Sequence, residues 1–516
     1  MRVSTTLILS SAAIFAATAA AAQPTVMVTP RGNPPSTSTT VSGTDFGANE
    51  FVDIYFDTTD EALAVTNASG AFSALRIAVP ASALPGTHWI SAGGRHSGLA
   101  AQTTFTVRTN WTLPGYGSQN KAYNPYENVI NQNNVNQLEL AWADNLNNGP
   151  LSGVTAYGGY LYVEAGSTLY EINALSGAQV HTANTALSLA VGATSAPIEA
   201  QGSVFALDQE YLYQYDPGTL SLSASLFVGF GTGEGMTAAG MTATDRVILA
   251  PSANDFWGIL RLAADYTFPL AGPVADGEWY PVLGSTAVAN VDGTQWFYMS
   301  CDTSIITSSQ YVCGTSLYSY WATNGTPTIT AEGSPAVAYG RVYAAGSMSG
   351  ENVLVGLNEA TGQPYWSVNL AGSGSSPAVA AGAVFIGAGN TVGAYDPRDG
   401  NTFWTQTLPG NVTSSVTYAN GLLYVTDSTN TLYAFGVNQL VYAAQDFHGT
   451  VIGYPVVANG MVYLPASNGV LYAYALNAGN NAAYHRDTRP PALALLHPNL
   501  SLVPDAKQTF RSADEQ

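Results

Sequence analysis

Charged side chains are scarce in this chain of 516 residues, and lysine is almost missing. Asp, Glu, Lys and Arg together make up 9% of the residues, against about 25% in ordinary soluble domains. The lysines are Lys121 and Lys507, and the net charge is −20. Because such a chain repels phosphate backbones and anionic lipid surfaces, we expect no nucleic-acid partner and no anionic membrane partner.

Long apolar runs are lacking after the first residues. Residues 1–22 begin with a positive charge at Arg2, continue with a short Ala-rich apolar stretch and end in the small residues Ala20 and Ala22. This pattern predicts a cleaved signal peptide; the alternative is a short membrane anchor. We expect the mature chain to be secreted or periplasmic, without membrane insertion, and monomeric.

Cysteine is limited to Cys301 and Cys313. Strand-like runs flank a polar loop between them, so a hairpin would bring the two sulfurs together. In an exported protein this favours a disulfide bond. The alternative is two separate buried thiols.

Motifs of the common catalytic sites are also missing. The sequence contains no H-E-x-x-H, no G-x-S-x-G, no P-loop and no C-x-x-C-H pattern, and the spacing of its histidines matches no metal site. We therefore predict no catalytic, cofactor-binding or metal-binding residue and no cofactor.

A repeat of the form Gly-x-[Val/Leu]-[Tyr/Phe] is what the sequence does contain. Strong and weak copies recur about 40 residues apart, starting at positions 159, 202, 245, 293, 340, 382, 421 and 460. Each clear copy carries four strand-like runs separated by turn residues. Units of this length and content predict an all-β fold with an eight-bladed β-propeller. A β-solenoid or a pair of sandwiches is the alternative.

The last unit lacks its outermost strand, whereas an unassigned strand precedes the first unit at Leu138–Leu146. Its Trp142 resembles Trp366 and Trp404, which stand in the outer strands of complete units. We predict that this strand completes the last blade and closes the ring, because closure removes an exposed sheet edge.

The outer turns resemble the pyrroloquinoline-quinone-type (PQQ-type) propeller repeat, in which an acidic residue, a Gly and a Trp follow at intervals of four. Asp396, Gly400 and Trp404 match this pattern, and Asn358, Gly362 and Trp366 match it with Asn for Asp. The resemblance implies that the Trp docks between blades, and we expect Trp404 to be buried beside Gly400 and Asp396. A third unit keeps the spacing with His181 in place of the Trp, and we expect this histidine to serve blade packing.

The remaining segments complete the predicted organisation. Residues 24–108 resemble a bacterial immunoglobulin-like or IPT-type domain, a small β-sandwich. We predict a linker at 109–137, the propeller at 138–477 and an extended C-terminal tail at 478–516.

Two functions remain open. The enzymes of the resembled family use a vicinal cysteine pair and calcium-binding carboxylates that this sequence does not match, and its lipid-anchored assembly factors carry a cysteine that is missing here. The first hypothesis is a non-catalytic binding or scaffold protein whose propeller rim contacts a protein or a glycan. The alternative is an exported quinone-dependent dehydrogenase, or another enzyme, with its site at the central channel.

Overall fold

The computed structural model describes residues 23–146, 149–184, 196–207, 211–227, 239–244, 247–250, 258–261, 282–302, 310–315, 320–323, 328–436, 439–477 and 486–487. Strands dominate these residues. The predicted signal peptide lies outside them, as does nearly all of the predicted tail. Among the residues described, no helix is long and apolar enough to cross a bilayer.

The N-terminal part is a sandwich of two sheets. Its strands are β1 (Thr25–Thr29), β2 (Gly32–Asn33), β3 (Ser38–Thr44), β4 (Phe51–Phe56), β5 (Thr59–Val65), β6 (Phe72–Ala78), β7 (Gly86–Gly94) and β8 (Ala100–Val107). One sheet has the order β1-β3-β6, and the other has the order β2-β8-β7-β4-β5. Alternate residues such as Val41, Ile54 and Phe105 are buried between the sheets, as the period of two in the sequence requires.

The rest of the described chain is a succession of mostly antiparallel sheets, of which one has nine strands and the others have three to five. A short strand β9 (Tyr123–Asn124), a single 3-10 turn (Val135–Gln137) and strand β10 (Leu138–Asn145) precede them. The following strands are β11 (Thr155–Tyr157), β12 (Tyr160–Ala165), β13 (Thr168–Asn173), β14 (Gln179–Asn184), β15 (Ile198–Ala200), β16 (Ser203–Leu207), β17 (Tyr211–Tyr215), β18 (Leu222–Phe227), β19 (Ala239–Gly240), β20 (Thr242–Ala243), β21 (Val247–Ala250) and β22 (Gly258–Arg261).

The second half of the succession contains β23 (Val282–Val291), β24 (Thr294–Asp302), β25 (Gln310–Thr315), β26 (Tyr320–Ala322), β27 (Ile329–Ala338), β28 (Arg341–Met348), β29 (Glu351–Asn358), β30 (Pro364–Asn369), β31 (Ala378–Ala380), β32 (Ala383–Ala388), β33 (Thr391–Tyr395), β34 (Thr402–Thr407), β35 (Thr417–Ala419), β36 (Leu422–Thr426), β37 (Leu432–Phe435), β38 (Leu440–Ala444), β39 (Val456–Ala458), β40 (Met461–Pro465), β41 (Val470–Leu476) and β42 (Arg486–Asp487). β42 returns to the sandwich and pairs with β7.

The repeated glycine is the second residue of a two-residue hairpin turn. Both turn residues have positive φ in Gln201–Gly202, Asp292–Gly293, Tyr339–Gly340, Ala381–Gly382, Asn420–Gly421 and Asn459–Gly460. Positive φ at both positions is the type I′ geometry, whose twist matches that of the flanking strands, and glycine adopts it without strain. The predicted unit start at Asp245 lies outside the described residues.

The sheets close into a ring. Their innermost strands contact one another in the order β11, β15, β20, β23, β27, β31, β35 and β39, and β39 contacts β11. β10 pairs antiparallel with β41 as the outermost strand of the last sheet, with Leu138 opposite Leu476 and Asn145 opposite Val470. The structure therefore confirms the predicted pairing of the strand before the first unit with the last unit.

The predicted linker connects the two parts of the chain, but its first half is also packed on the ring. Trp111 is 1% exposed. Backbone carbonyls of this segment accept hydrogen bonds from the innermost strands of sheet after sheet: Thr112 from Glu199, Ser118 from Val288, Gln119 from Val337, Lys121 from Val379 and Ala122 from Tyr418. We call residues 109–124 the belt. It satisfies N–H groups on inner strand edges that have no further strand to pair with.

The two cysteines lie on neighbouring strands of one sheet. Cys301 in β24 is opposite Tyr311, and Cys313 in β25 is opposite Met299. This register places both cysteines on the same face of the strand pair, two residues apart.

The disulfide bond remains a prediction. We expect mass spectrometry of unreduced proteolytic peptides from the native protein to detect a Cys301–Cys313 cross-link. Two alkylatable thiols in that protein would contradict the bond.

Two truncations test the closure of the ring. Removing residues 24–108 should leave a monomeric, folded ring, because the sandwich has its own core. Removing residues 24–147 also deletes the belt and β10, which leaves inner-strand N–H groups without acceptors and the edge of β41 unpaired, so that protein should aggregate. Size-exclusion chromatography of both proteins compares them. If the longer deletion remains monomeric and equally stable, β10 is not required for closure.

Candidate functional site

Two outer-strand tryptophans, Trp366 and Trp142, dock onto the turn of the following sheet. Trp366 in β30 is 9% exposed, and its Nε1 donates to the Pro397 carbonyl at 3.2 Å. A Cβ added to Gly400 would lie 2.7 Å from Trp366 Cε3. Across its own sheet Trp366 is opposite Gly356, where a Cβ would also overlap the indole. Two glycines therefore make room for this ring.

The prediction that Trp404 is buried beside Gly400 and Asp396 is wrong, because the ring that fills this position is Trp366 of the preceding sheet. Trp404 is half-buried and contacts Phe385 and Phe435, with ring centroids 6.3 and 6.1 Å away. The sequence between β37 and β38, Gly436–Gln439, lacks the acidic residue and the glycine four positions later that the repeat has between its last two strands.

Asp396 and Asn358 organise the turns that receive these rings. The Asp396 carboxylate accepts a hydrogen bond from the Arg398 backbone and binds its guanidinium at 2.7 Å; these contacts lower the pKa of Asp396 to about 2. Asn358 Oδ1 accepts from the N–H groups of Ala360 and Thr361. Gly362 and Gly400 take positive φ at the end of these turns. All of these contacts stabilise the turns that receive the indole rings.

Trp142 extends the same contact across the ring closure. Its Nε1 donates to the Ala174 carbonyl at 3.3 Å, and a Cβ on Gly177 would lie 2.7 Å from the indole. The closing strand thus carries the tryptophan that joins the last sheet to the first.

The joint between the first two sheets uses polar groups instead. His181 is opposite Glu171, and its Nδ1 lies 2.7 Å from Glu171 Oε2. The fully buried Glu171 also accepts from the Tyr162 hydroxyl at 2.8 Å and from the Gly218 N–H at 2.7 Å. In this joint, Glu171 and His181 therefore occupy the positions that Gly356 and Trp366 occupy in the joint at Gly400. An alignment of the repeat units by their strands would have shown from the sequence alone that Glu171 replaces the small residue found at Gly356.

The axis of the ring is filled. Ser334, Ser376 and Ser415 come from consecutive inner strands or the turns before them. The N–H of Ser334 donates to Ser376 Oγ at 2.8 Å. The buried Tyr454 side chain faces these serines, and burial raises its pKa. Trp111 of the belt lines the same place, and the cavity left between these residues has a volume of about 30 Å³, room for a water molecule but not for a cofactor.

The rim that carries the hairpin turns is partly covered and partly open. On the covered side, Asn420 Nδ2 donates to the Ile130 carbonyl and Thr109 N–H donates to Asn459 Oδ1. On the open side lies a group that we call the rim patch, which consists of Asp292, Tyr339, Arg341, Glu359 and Tyr365. Tyr339 and Tyr365 are 57% and 54% exposed, and the Arg341 guanidinium stacks 4.6 Å above the Tyr365 ring.

Comparison with known proteins agrees with this geometry. A family described as "Outer membrane protein assembly factor BamB" matches residues 388–514. A solved quinohemoprotein alcohol dehydrogenase, ADHIIG from Pseudomonas putida HK5, is similar with a TM-score of 0.56 and 11% identity, covering 74% of this chain and 82% of that one. The chain contains a PQQ-like β-propeller. We therefore call the sheets of its ring blades.

BamB from Moraxella catarrhalis is also similar to the propeller chain, with a TM-score of 0.48 and 13% identity over 66% of this chain and 99% of that one. No curated protein sequence matches the chain. At these identities the structural likenesses support the fold and not an activity.

A quinone cofactor does not fit the described part of the propeller axis. A planar tricyclic quinone needs a slot far larger than 30 Å³, whereas Tyr454, Trp111 and the serines fill this space. The two cysteines, which are adjacent in sequence in the quinone enzymes that the repeat resembles, lie here on separate strands.

A pair of glycine substitutions tests the docking contact. Gly400 and Gly382 have nearly equal φ of 76° and 74°, but only Gly400 faces an indole, since the space around Gly382 is open. Gly400→Ala should therefore lower the free energy of unfolding more than Gly382→Ala. Denaturant unfolding measures both.

The tryptophan supplies the control. Trp366→Ala should lower the free energy of unfolding by about 3–5 kcal/mol and should remove the difference between the two glycine variants, because the clash disappears. Equal effects of Gly400→Ala and Gly382→Ala in the unmodified chain would contradict the contact.

Proposed function

We propose that this chain is an exported, non-catalytic binding protein that uses the rim of an eight-bladed PQQ-like propeller to contact a protein or a glycan. In this proposal, the N-terminal sandwich is an immunoglobulin-like domain, and export follows from the charged start and apolar stretch of residues 1–22. The ring of eight inner strands supports the blade number.

The filled axis is the observation that carries the proposal. PQQ-like enzymes would need an open pocket at the central channel, whereas Tyr454 and the belt residue Trp111 fill this end of it. The alternative of a quinone-dependent dehydrogenase rests on likeness of fold alone.

The rim patch supports the choice of binding surface. It combines two exposed tyrosines with one cation and two carboxylates, whereas exposed apolar side chains elsewhere are mostly single. Tyrosine and arginine are enriched where proteins bind partners. Tyrosine offers a large contact area with few rotatable bonds, and arginine offers a planar set of hydrogen-bond donors. The family description of an outer membrane protein assembly factor is consistent with a partner protein in the cell envelope.

A reconstitution experiment tests the absence of catalysis. The exported protein is incubated with pyrroloquinoline quinone and Ca²⁺, passed through a desalting column and assayed for a bound chromophore and for alcohol-dependent dye reduction. We expect neither. A retained chromophore with dye reduction would contradict the proposal and favour the dehydrogenase.

A capture experiment tests the rim. The mature protein, the double variant Tyr339→Ser/Tyr365→Ser and the control Phe403→Ser are immobilised and exposed to envelope extract and to a glycan array. Phe403 is as exposed as Tyr365 and has the equivalent position in the next outer strand, but it is not part of the rim patch. We expect a saturable partner that the double variant loses and the control keeps. Retention by all three would exclude the rim patch as the site.

A further inference from the structure

A second cavity lies between the sandwich and the first two blades. Its volume is about 650 Å³, within the range of small-molecule sites. One wall comes from the sandwich around Asn33 and Thr106, another from Tyr157 and Tyr160, and a third from the turn at Asp216. The sandwich and the propeller therefore build it together.

Arg108 brings an uncompensated positive charge to this cavity. It is the first residue after β8 and is half-buried. Within the described ranges no carboxylate lies within ion-pair distance of its guanidinium, whereas Arg95 and Arg398 both have an acidic partner at 2.7 Å. The titratable groups that face it are the phenols of Tyr160 and Tyr157, which carry no charge at neutral pH, and burial lowers the pKa of Arg108. In a chain of net charge −20, an arginine left without an acid is a receptor for an external anion.

The other polar groups of the wall narrow the class of ligand. Asn110 lines the cavity, and its buried Oδ1 has no hydrogen-bond partner among the described residues. Tyr157 and Tyr160 are half-buried, so each offers a ring and a hydroxyl. Among the described residues of the wall, Pro34 and Pro217 carry the only purely aliphatic side chains. A wall with aromatic rings, hydroxyls and amides but few aliphatic groups suits a ligand whose ring carries hydroxyls. It does not suit a lipid tail or a leucine-like side chain.

The charge balance favours a carboxylate over a phosphate. The described wall offers one guanidinium, that of Arg108, and one exposed carboxylate, that of Asp216. A single negative charge matches one guanidinium, whereas a dianion would be held by one cation and repelled by Asp216.

We propose that this cavity binds an acidic sugar, with the carboxylate on Arg108, the pyranose ring against Tyr157 or Tyr160 and a ring hydroxyl donating to Asn110. The site is separate from the rim patch, so the two proposals fail independently.

Isothermal titration calorimetry on the mature full-length protein tests this inference. Glucuronate and galacturonate, alone and as disaccharides, are the probes. The controls are glucose, which has the ring without the carboxylate, acetate, which has the carboxylate without the ring, and inorganic phosphate, which has only an anionic charge. We expect at least one uronate to bind more than tenfold tighter than any of the three controls.

The variant Arg108→Gln should weaken uronate binding at least tenfold, because it removes the charge-assisted contact. Arg108→Lys should recover part of it, and Arg76→Gln, at an exposed position of β6 outside both proposed sites, should bind like the unmodified protein. Unchanged thermal unfolding of Arg108→Gln would show that its effect is local.

Four results would overturn the proposal. They are no binding of any uronate, equal binding of glucose or acetate, tighter binding of phosphate, and unaltered uronate binding by Arg108→Gln. If Arg108→Gln does not fold, Tyr160→Ala takes its place, and unaltered uronate binding by that variant likewise overturns the proposal.

Discussion

The antiparallel pair of β10 and β41 is the contact on which the ring depends. It joins Leu138–Asn145 to Val470–Leu476, residues more than three hundred positions apart. Without it the last blade would have three strands and an exposed edge. The same strand carries Trp142 onto the Gly177 turn, and Tyr442 of the neighbouring blade donates to the Leu138 carbonyl at 2.8 Å. One strand therefore completes a blade and makes the joints on both of its sides.

The belt supplies hydrogen-bond partners to the inner edges of several blades, as β10 does to the outer edge of the last blade. Innermost strands of a propeller have no strand beyond them, so their N–H groups need other acceptors. The belt supplies its carbonyls to successive blades, and the fully buried Glu127 anchors the chain after it by accepting from Gly460 and Val129. Burial raises the pKa of Glu127. Trp111 of the belt also lines the small space left at the axis.

Much of this architecture is readable from the sequence, because hairpin glycines at a period near 40 residues leave few alternatives. The docking partner of Gly400 was misassigned because the sequence pattern links this glycine to Trp404 of its own unit. In the structure, the tryptophan of an outer strand packs against the glycine of the next blade. The belt was missed for another reason. Its hydrogen bonds use backbone carbonyls, which any residue has, and Trp111 was the one side chain that indicated burial. The cavity at Arg108 joins distant parts of the chain, so no local pattern marks it.

Hydrogen exchange of the mature protein tests most directly whether the belt seals the ring. The Trp111 amide of the belt donates to Ala156 in an inner strand, and the Val379 and Tyr418 amides of the inner strands donate to belt carbonyls. The Ala122 amide donates to Gly115 and holds the belt in its own fold. We predict slow exchange at all four, with belt and inner strands opening together. If peptides covering 111–124 exchange at the rate of an unstructured chain while 378–380 and 417–419 stay protected, the segment is a free linker, and the account of a sealed axis is wrong.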